Sequence, residues 1–101
     1  MGALIKVADT AELKPGECKV VEAAGKVLAL FNVGGAFYVL DNTCLHRGGP
    51  LGEGELEGTV VTCPWHGWRW DVATGANTNN PAVKVACFPV KVDGGSIFVE
   101  T

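Results

Sequence analysis

Histidine is scarce in this chain, with only two in 101 residues, and there is a single methionine and a single tyrosine. Basic residues are few as well. Eight Lys and Arg stand against eleven Asp and Glu, for a net charge of −3. That balance argues against a nucleic-acid partner, which demands a basic face. No apolar run approaches the roughly 18 residues needed to cross a membrane as a helix, so no membrane partner is expected. The opening stretch, MGALIKVADTAELKPGE, has neither the apolar centre of a secretory signal nor a twin-arginine pair. The expected location is the cytoplasm, whose reducing conditions disfavour structural disulfides. No dinucleotide-binding glycine fingerprint, internal repeat, linker or low-complexity tract is present. With 48% apolar and 19% charged residues the composition is that of a folded protein, and the length predicts a single domain over 1–101.

What the chain does have is punctuation: 14 glycines and 5 prolines separate short β-rich runs. These runs are Leu4–Val7, Cys18–Ala23, Lys26–Val33, Ala36–Leu40, Thr59–Cys63, Arg69–Val72, Val83–Val92 and Ser96–Glu100. Short strands at such spacing predict an all-β sandwich or barrel. Gly34-Gly35 and Asp93-Gly94-Gly95 read as hairpin turns. Asp9–Leu13 reads as one helical turn, capped by Asp9 or Thr10 and ended by Pro15-Gly16. The segment from about Asn42 to Pro81 differs in character: it holds both histidines, all three tryptophans and much of the glycine. It is expected to be a subdomain inserted in a β base.

Both histidines sit beside cysteines. Cys44-Leu45-His46 is followed, after sixteen residues, by Cys63-Pro64-Trp65-His66. Two thiolates and two imidazoles in one small domain read as a metal site. A common zinc finger keeps its cysteines together and its histidines together. Here each elbow is Cys-then-His, which suits a centre of two metal ions, each elbow sending sulfur to one and nitrogen to the other. A structural zinc or mononuclear iron site remains the plainer alternative.

The pattern C-x-H-x₁₆-C-x-x-H, with CPWHGWRWDVATG continuing from the second cysteine, resembles the Rieske iron–sulfur family. The ligand motif covers about a quarter of the chain, and the strand pattern on both sides fits a Rieske ferredoxin. The resemblance implies one [2Fe–2S] cluster per chain, with Cys44 and Cys63 on one iron and His46 and His66 on the other. It implies a Rieske-like sandwich or barrel base, with the cluster-binding subdomain of about 42–81 inserted in it.

The resemblance also assigns roles around the cluster. Gly48, Gly49 and Gly67 either let backbone approach it closely or are plain turn glycines, with the cluster role expected of Gly67, and Pro64 stiffens the second elbow. Gly52 and Gly54 read as plain turn glycines. Asn79-Asn80-Pro81 is either a third covering loop or only a turn signal. Trp68 and Trp70 share one strand face and are expected to pack around the cluster, with Arg69 and Asp71 on the other face. Trp65, between two ligands at a loop tip, is a candidate for an exposed docking residue, and Arg47 is either a solvated charge or a partner contact. High-potential members carry an extra cysteine in each loop, where this chain has Gly49 and Trp65. They also carry Ser and Tyr hydroxyls bonded to the sulfurs, where this chain has Trp68 and Trp70. An indole N–H does not easily copy those contacts, so the expected potential lies near the low end of the Rieske range, about −150 mV. The two remaining cysteines, Cys18 and Cys87, lie in strand-like runs and are expected to be buried hydrophobes rather than a disulfide.

The implied function is that of a monomeric one-electron carrier, not an enzyme. It would take electrons from a flavoprotein NAD(P)H reductase and pass them, through weak and transient contacts, to a terminal aromatic-ring oxygenase. The alternatives are the Rieske small subunit of a cytoplasmic nitrite reductase, the structural zinc domain, and a cluster-free binding module on the same fold.

Overall fold

The computed structural model describes residues 4–42, 50–65 and 67–100. Among these residues ten strands form three antiparallel sheets: β1 (Leu4–Asp9), β2 (Cys18–Ala23), β3 (Lys26–Val33), β4 (Ala36–Asp41), β5 (Glu55–Glu57), β6 (Val60–Thr62), β7 (Arg69–Asp71), β8 (Cys87–Phe88), β9 (Val90–Asp93) and β10 (Ser96–Glu100). Their orders are β2-β3-β4-β8, β1-β10-β9 and β5-β6-β7. Single 3₁₀ turns occupy Thr10–Glu12 and Leu51–Glu53. The expected all-β architecture is therefore what the chain adopts.

The four-stranded sheet is the organising layer, and its central strand shows why. Residues 27–31 of β3 read Val-Leu-Ala-Leu-Phe, an almost uninterrupted apolar run of the kind buried on both faces. Alternation sends Leu28 and Leu30 into one core and Ala29 and Phe31 into the other. Val39 and Leu40 on β4 divide in the same way. The first core also takes Val21, Ala23, Ala8, Ile97 and Val99, so it cements the β1-β10-β9 sheet onto the base. The second core takes Leu51, Val61, Cys63, Trp70 and Val72, which mount the β5-β6-β7 sheet on the opposite face. Phe31, Leu30 and Trp70 are fully buried. Each contributes on the order of 2 kcal/mol through removal of apolar surface from water.

The turns follow the glycine punctuation. Gly34 and Gly35 connect β3 to β4 with Val33 paired to Ala36, and Gly94 and Gly95 connect β9 to β10 with Asp93 paired to Ser96. Asn32 locks the first of these: its Nδ2 donates to the Leu13 carbonyl at 2.8 Å and its Oδ1 accepts from the Gly35 N–H at 2.8 Å. Asp9 caps the Thr10–Glu12 turn, and its own N–H donates to Glu12 Oε2 at 2.8 Å.

Three sequence expectations change. Val83–Val92 is not one strand: Pro89, which has no N–H to donate, separates β8 from β9, and the two join different sheets. β5, Glu-Leu-Glu, was not expected to be a strand. Gly52 and Gly54 are not plain turn glycines. A Cβ on Gly52 would meet Val20 Cγ2 at 2.8 Å, and one on Gly54 would collide with the Thr62 carbonyl.

Candidate metal centre

The second elbow is a hairpin tip. β6 and β7 pair with Val60 opposite Asp71, Val61 opposite Trp70 and Thr62 opposite Arg69. The register runs one step further, where the Cys63 N–H donates to the Trp68 carbonyl at 2.7 Å and closes the loop 63–68. Gly67 has φ +74°, a conformation that glycine alone adopts without cost, so the turn back into β7 depends on it. The loop is sharply divided. Cys63 is 1% exposed and turned into the core, while Pro64, Trp65, Gly67 and Trp68 face outward. Trp65 is 51% exposed, which fits the tip position expected of it. Trp68, at 37% exposed, is not the packed core residue that the sequence suggested, whereas Trp70 is fully buried. Arg69 faces solvent, away from Trp70, as alternation requires. A cavity of about 400 Å³ opens onto Cys63, lined also by Glu53, Thr62, Pro64 and Gly67.

The first elbow is known from its two ends. Asn42, buried at the end of β4, accepts the Leu51 N–H on its carbonyl and the Gly52 N–H on its Oδ1, both at 2.8 Å. The chain thus leaves the base and returns to the same point. Cys44, His46, Arg47 and Gly48 lie outside the described residues, as does His66 in the second elbow. Among the described residues no group of three or more metal-binding side chains gathers, since only Cys63 of the four expected ligands is among them.

A third loop leans on the same hairpin. Asn77 is 3% exposed and bridges to Trp70. Its Oδ1 accepts the N–H groups of Asn79 and Asn80 at 2.9 and 3.0 Å, and its N–H donates to the Val83 carbonyl at 2.8 Å. The loop carrying Pro81, which is exposed, is therefore tied to β7. Sequence reading named Asn79 and Asn80 but missed Asn77, Asn42 and Asn32, whose roles as loop anchors show only once the backbone groups they satisfy are in place.

Cys18 and Cys87 are not both buried. Cys18 is partly buried, its Sγ donating to the Gly54 carbonyl at 3.2 Å, and Cys87 is exposed. Burial pushes both thiols up from their ordinary value, in Cys18 with Glu17 adding to it.

Residues 3–89 match the Rieske [2Fe–2S] domain family. The chain belongs to the Rieske [2Fe–2S] family. This Rieske protein is 36% identical to the ferredoxin CarAc of Metapseudomonas resinovorans, over 94% of its own length and 91% of the relative's. It superposes with TM-score 0.88 and 35% identity on a chain from the complex of reduced oxygenase and oxidized ferredoxin in carbazole 1,9a-dioxygenase, covering 96% and 92% of the two chains. A nitrite reductase small subunit from Mycobacterium tuberculosis superposes at TM-score 0.92 but with 21% identity, a likeness of fold alone, over 100% and 96% of the two chains.

As a Rieske ferredoxin the chain carries one [2Fe–2S] cluster and serves as an electron-transfer component rather than a catalyst. The residues fit that group. The donor set holds two thiols and two imidazoles, as a Rieske cluster requires. One of those thiols is buried at the closed end of a hairpin. The same core also holds an indole N–H, on Trp70, that no partner satisfies among the described residues. The cluster family thereby displaces the structural zinc reading.

Proposed function

We propose that the Rieske chain is the one-electron carrier of an oxygenase system. It takes electrons singly from a flavoprotein NAD(P)H reductase and delivers them to a terminal aromatic-ring oxygenase. The supporting observation is the end-to-end correspondence with ferredoxin components, 91% and 92% of whose lengths the chain covers. In this reading Cys44 and Cys63 hold one iron, and His46 and His66 the other. When bound, the cluster supplies one reversible electron, at a potential raised by the two neutral imidazoles.

The residues of this chain do the rest. Residues 42–81 form the cluster-binding subdomain, Asn42 and Asn77 fix its loops, and β6–β7 presents the second elbow. The exposed Pro64, Trp65 and Trp68 form the face that meets partners. Contacts there are small and transient, because a carrier must leave one partner to meet the next. The protein acts as a monomer in the cytoplasm, where NAD(P)H is available and the Cys18 and Cys87 thiols stay reduced.

The experiment is a reconstituted chain of transfer. The purified protein is red-brown and shows a rhombic EPR signal on reduction. NAD(P)H bleaches it only when a flavoprotein reductase is added, and a terminal oxygenase with substrate and oxygen restores the colour. His66→Cys and Cys63→Ser change or abolish the visible spectrum. A colourless protein without acid-labile sulfide, or a carrier that no oxygenase reoxidises, contradicts the proposal.

A further inference from the structure

β5 is the outer strand of the β5-β6-β7 sheet, and the register fixes which of its backbone groups face out. The Cys63 N–H donates to the Trp68 carbonyl at 2.7 Å, and the Val72 N–H to the Thr59 carbonyl at 2.8 Å. Thr59, Val61 and Cys63 thus turn their backbone groups toward β7, while Val60 and Thr62 turn theirs toward β5. Leu56 stands opposite Val61, so its N–H and C=O point away from β6. Gly54, two residues earlier, points the same way, and its carbonyl accepts from Cys18 Sγ on β2 at 3.2 Å. A groove of about 740 Å³ runs between the β2 and β5 edges, bridged at Gly54 by that bond and lined further along by Leu56. Its rim is charged. Glu12, Glu17, Glu55 and Glu57 stand against Lys19 and Arg69, and Lys19 is held by Glu12 at 3.1 Å. The groove also runs into the cavity beside Cys63. The two share Gly54, Glu55 and Thr62, and the second reaches Pro64 and Gly67 at the hairpin tip.

We propose that this groove is a second docking surface, which takes an extended basic segment of the terminal oxygenase. The inference rests on the carrier reading above. The oxygenase is the partner present in the complex that the chain superposes on. The chemistry of the segment follows from the groove. An open strand edge offers the Leu56 N–H and C=O to an extended main chain. The acidic rim admits Lys and Arg side chains on that chain and repels carboxylates, so the edge is selective. Its continuity with the tip lets one partner cover tip and groove together, whereas a partner without the segment meets the tip alone. A carrier with one tip and two partners thereby gains a contact that tells them apart.

The test neutralises the rim and keeps its shape. A Glu17→Gln/Glu55→Gln/Glu57→Gln variant is compared with the unsubstituted protein in steady-state turnover, with the reductase and the oxygenase assayed separately. The expected result is an oxygenase KM about tenfold higher, the low end of what charge steering supplies, with a weaker dependence on salt. The reductase KM, the visible spectrum and the EPR signal stay unchanged. A Glu22→Gln/Asp93→Asn/Glu100→Gln variant removes as many exposed charges elsewhere and should leave both KM values as they are. Hydrogen exchange at the Leu56 amide of the unsubstituted protein should slow when the oxygenase is added. If the groove variant loses its colour, the exchange measurement decides, because it needs no substitution. An unchanged oxygenase KM, or an equal rise in the control variant, overturns the groove as a docking surface. An equal rise for the reductase overturns the choice of the oxygenase, and unslowed exchange at Leu56 overturns strand addition. An unsubstituted protein that no oxygenase reoxidises overturns the carrier reading beneath it.

Discussion

Cys18 and Cys87 occupy β2 and β8, the two outer strands of the four-stranded sheet. Three strand spacings separate those edges, about 14 Å, twice what a disulfide can span. Both thiols are raised above their ordinary 9.0, chiefly by burial. Since the thiolate is the nucleophile, iodoacetamide at pH 7 should modify both more slowly than an unstructured peptide cysteine, although Cys87 is exposed. Mass spectrometry of timed samples checks this, and alkylation of Cys87 at the peptide rate contradicts it. Sequence reading served unevenly at this scale. Cys and His declare their chemistry wherever they stand, so the four candidate ligands could be named from letters and spacing. Exposure is not carried by the letters: Trp68 and Trp70 look alike in sequence, yet one is 37% exposed and the other 0%. The difference arises because β7 begins at Arg69, which leaves Trp68 at the loop mouth and Trp70 under the sheet.

Elements were legible where local and tertiary preferences agree. β2 and β3 fall where their β-branched and aliphatic runs placed them. β5 escaped notice because Glu-Leu-Glu has little strand propensity, and pairing with β6 makes it a strand. The β2–β3 turn carries its own conflict. Ala24 has φ +52° and Gly25 φ +77°, and Ala24 is the single non-glycine residue with positive φ among the described residues. A two-residue hairpin with both φ values positive favours Asn-Gly. Ala24→Asn should therefore stabilise the protein by about 0.5–1 kcal/mol, a gain of roughly 4 °C in Tm. Calorimetry checks it, and a lower Tm contradicts it. The Thr10–Glu12 turn makes an acid-dependent contribution. Lys6, by hydrogen bond and charge, holds Asp9 below its ordinary 3.8, and the Asp9 N–H, helped by Lys19, holds Glu12 below 4.5. Groups lowered on folding stabilise above their unfolded values and lose that contribution as pH falls through the folded ones. The loss thus begins near pH 4.5 and proceeds downward. An Asp9→Asn/Glu12→Gln double variant should show a shallower fall of Tm between pH 5 and pH 3 than the parent, and an equal fall contradicts the assignment.

At the scale of the molecule, the central sheet separates two tasks. One core fixes the β1-β10-β9 sheet, and the other fixes the hairpin that carries the second elbow. The hairpin accordingly has a buried side, with Cys63 and Trp70, and an exposed side, with Trp65. The potential follows from the inner side. With no hydroxyl at position 68 or 70, the midpoint should lie near −150 mV, and a value above zero contradicts this. Docking follows from the outer side. A half-exposed tryptophan beside an exposed proline is the kind of aromatic anchor that dominates small interfaces, where truncation costs on the order of 2 kcal/mol. Trp65→Ala should therefore raise the oxygenase's KM for this protein by about thirtyfold. It should leave the visible spectrum, the EPR signal and the midpoint potential unchanged, because the ring faces away from the core that holds Cys63 and Trp70. Steady-state turnover with varied ferredoxin concentration, run beside voltammetry of the same sample, separates the two tasks. A shift in potential with KM unchanged would place Trp65 on the tuning side instead.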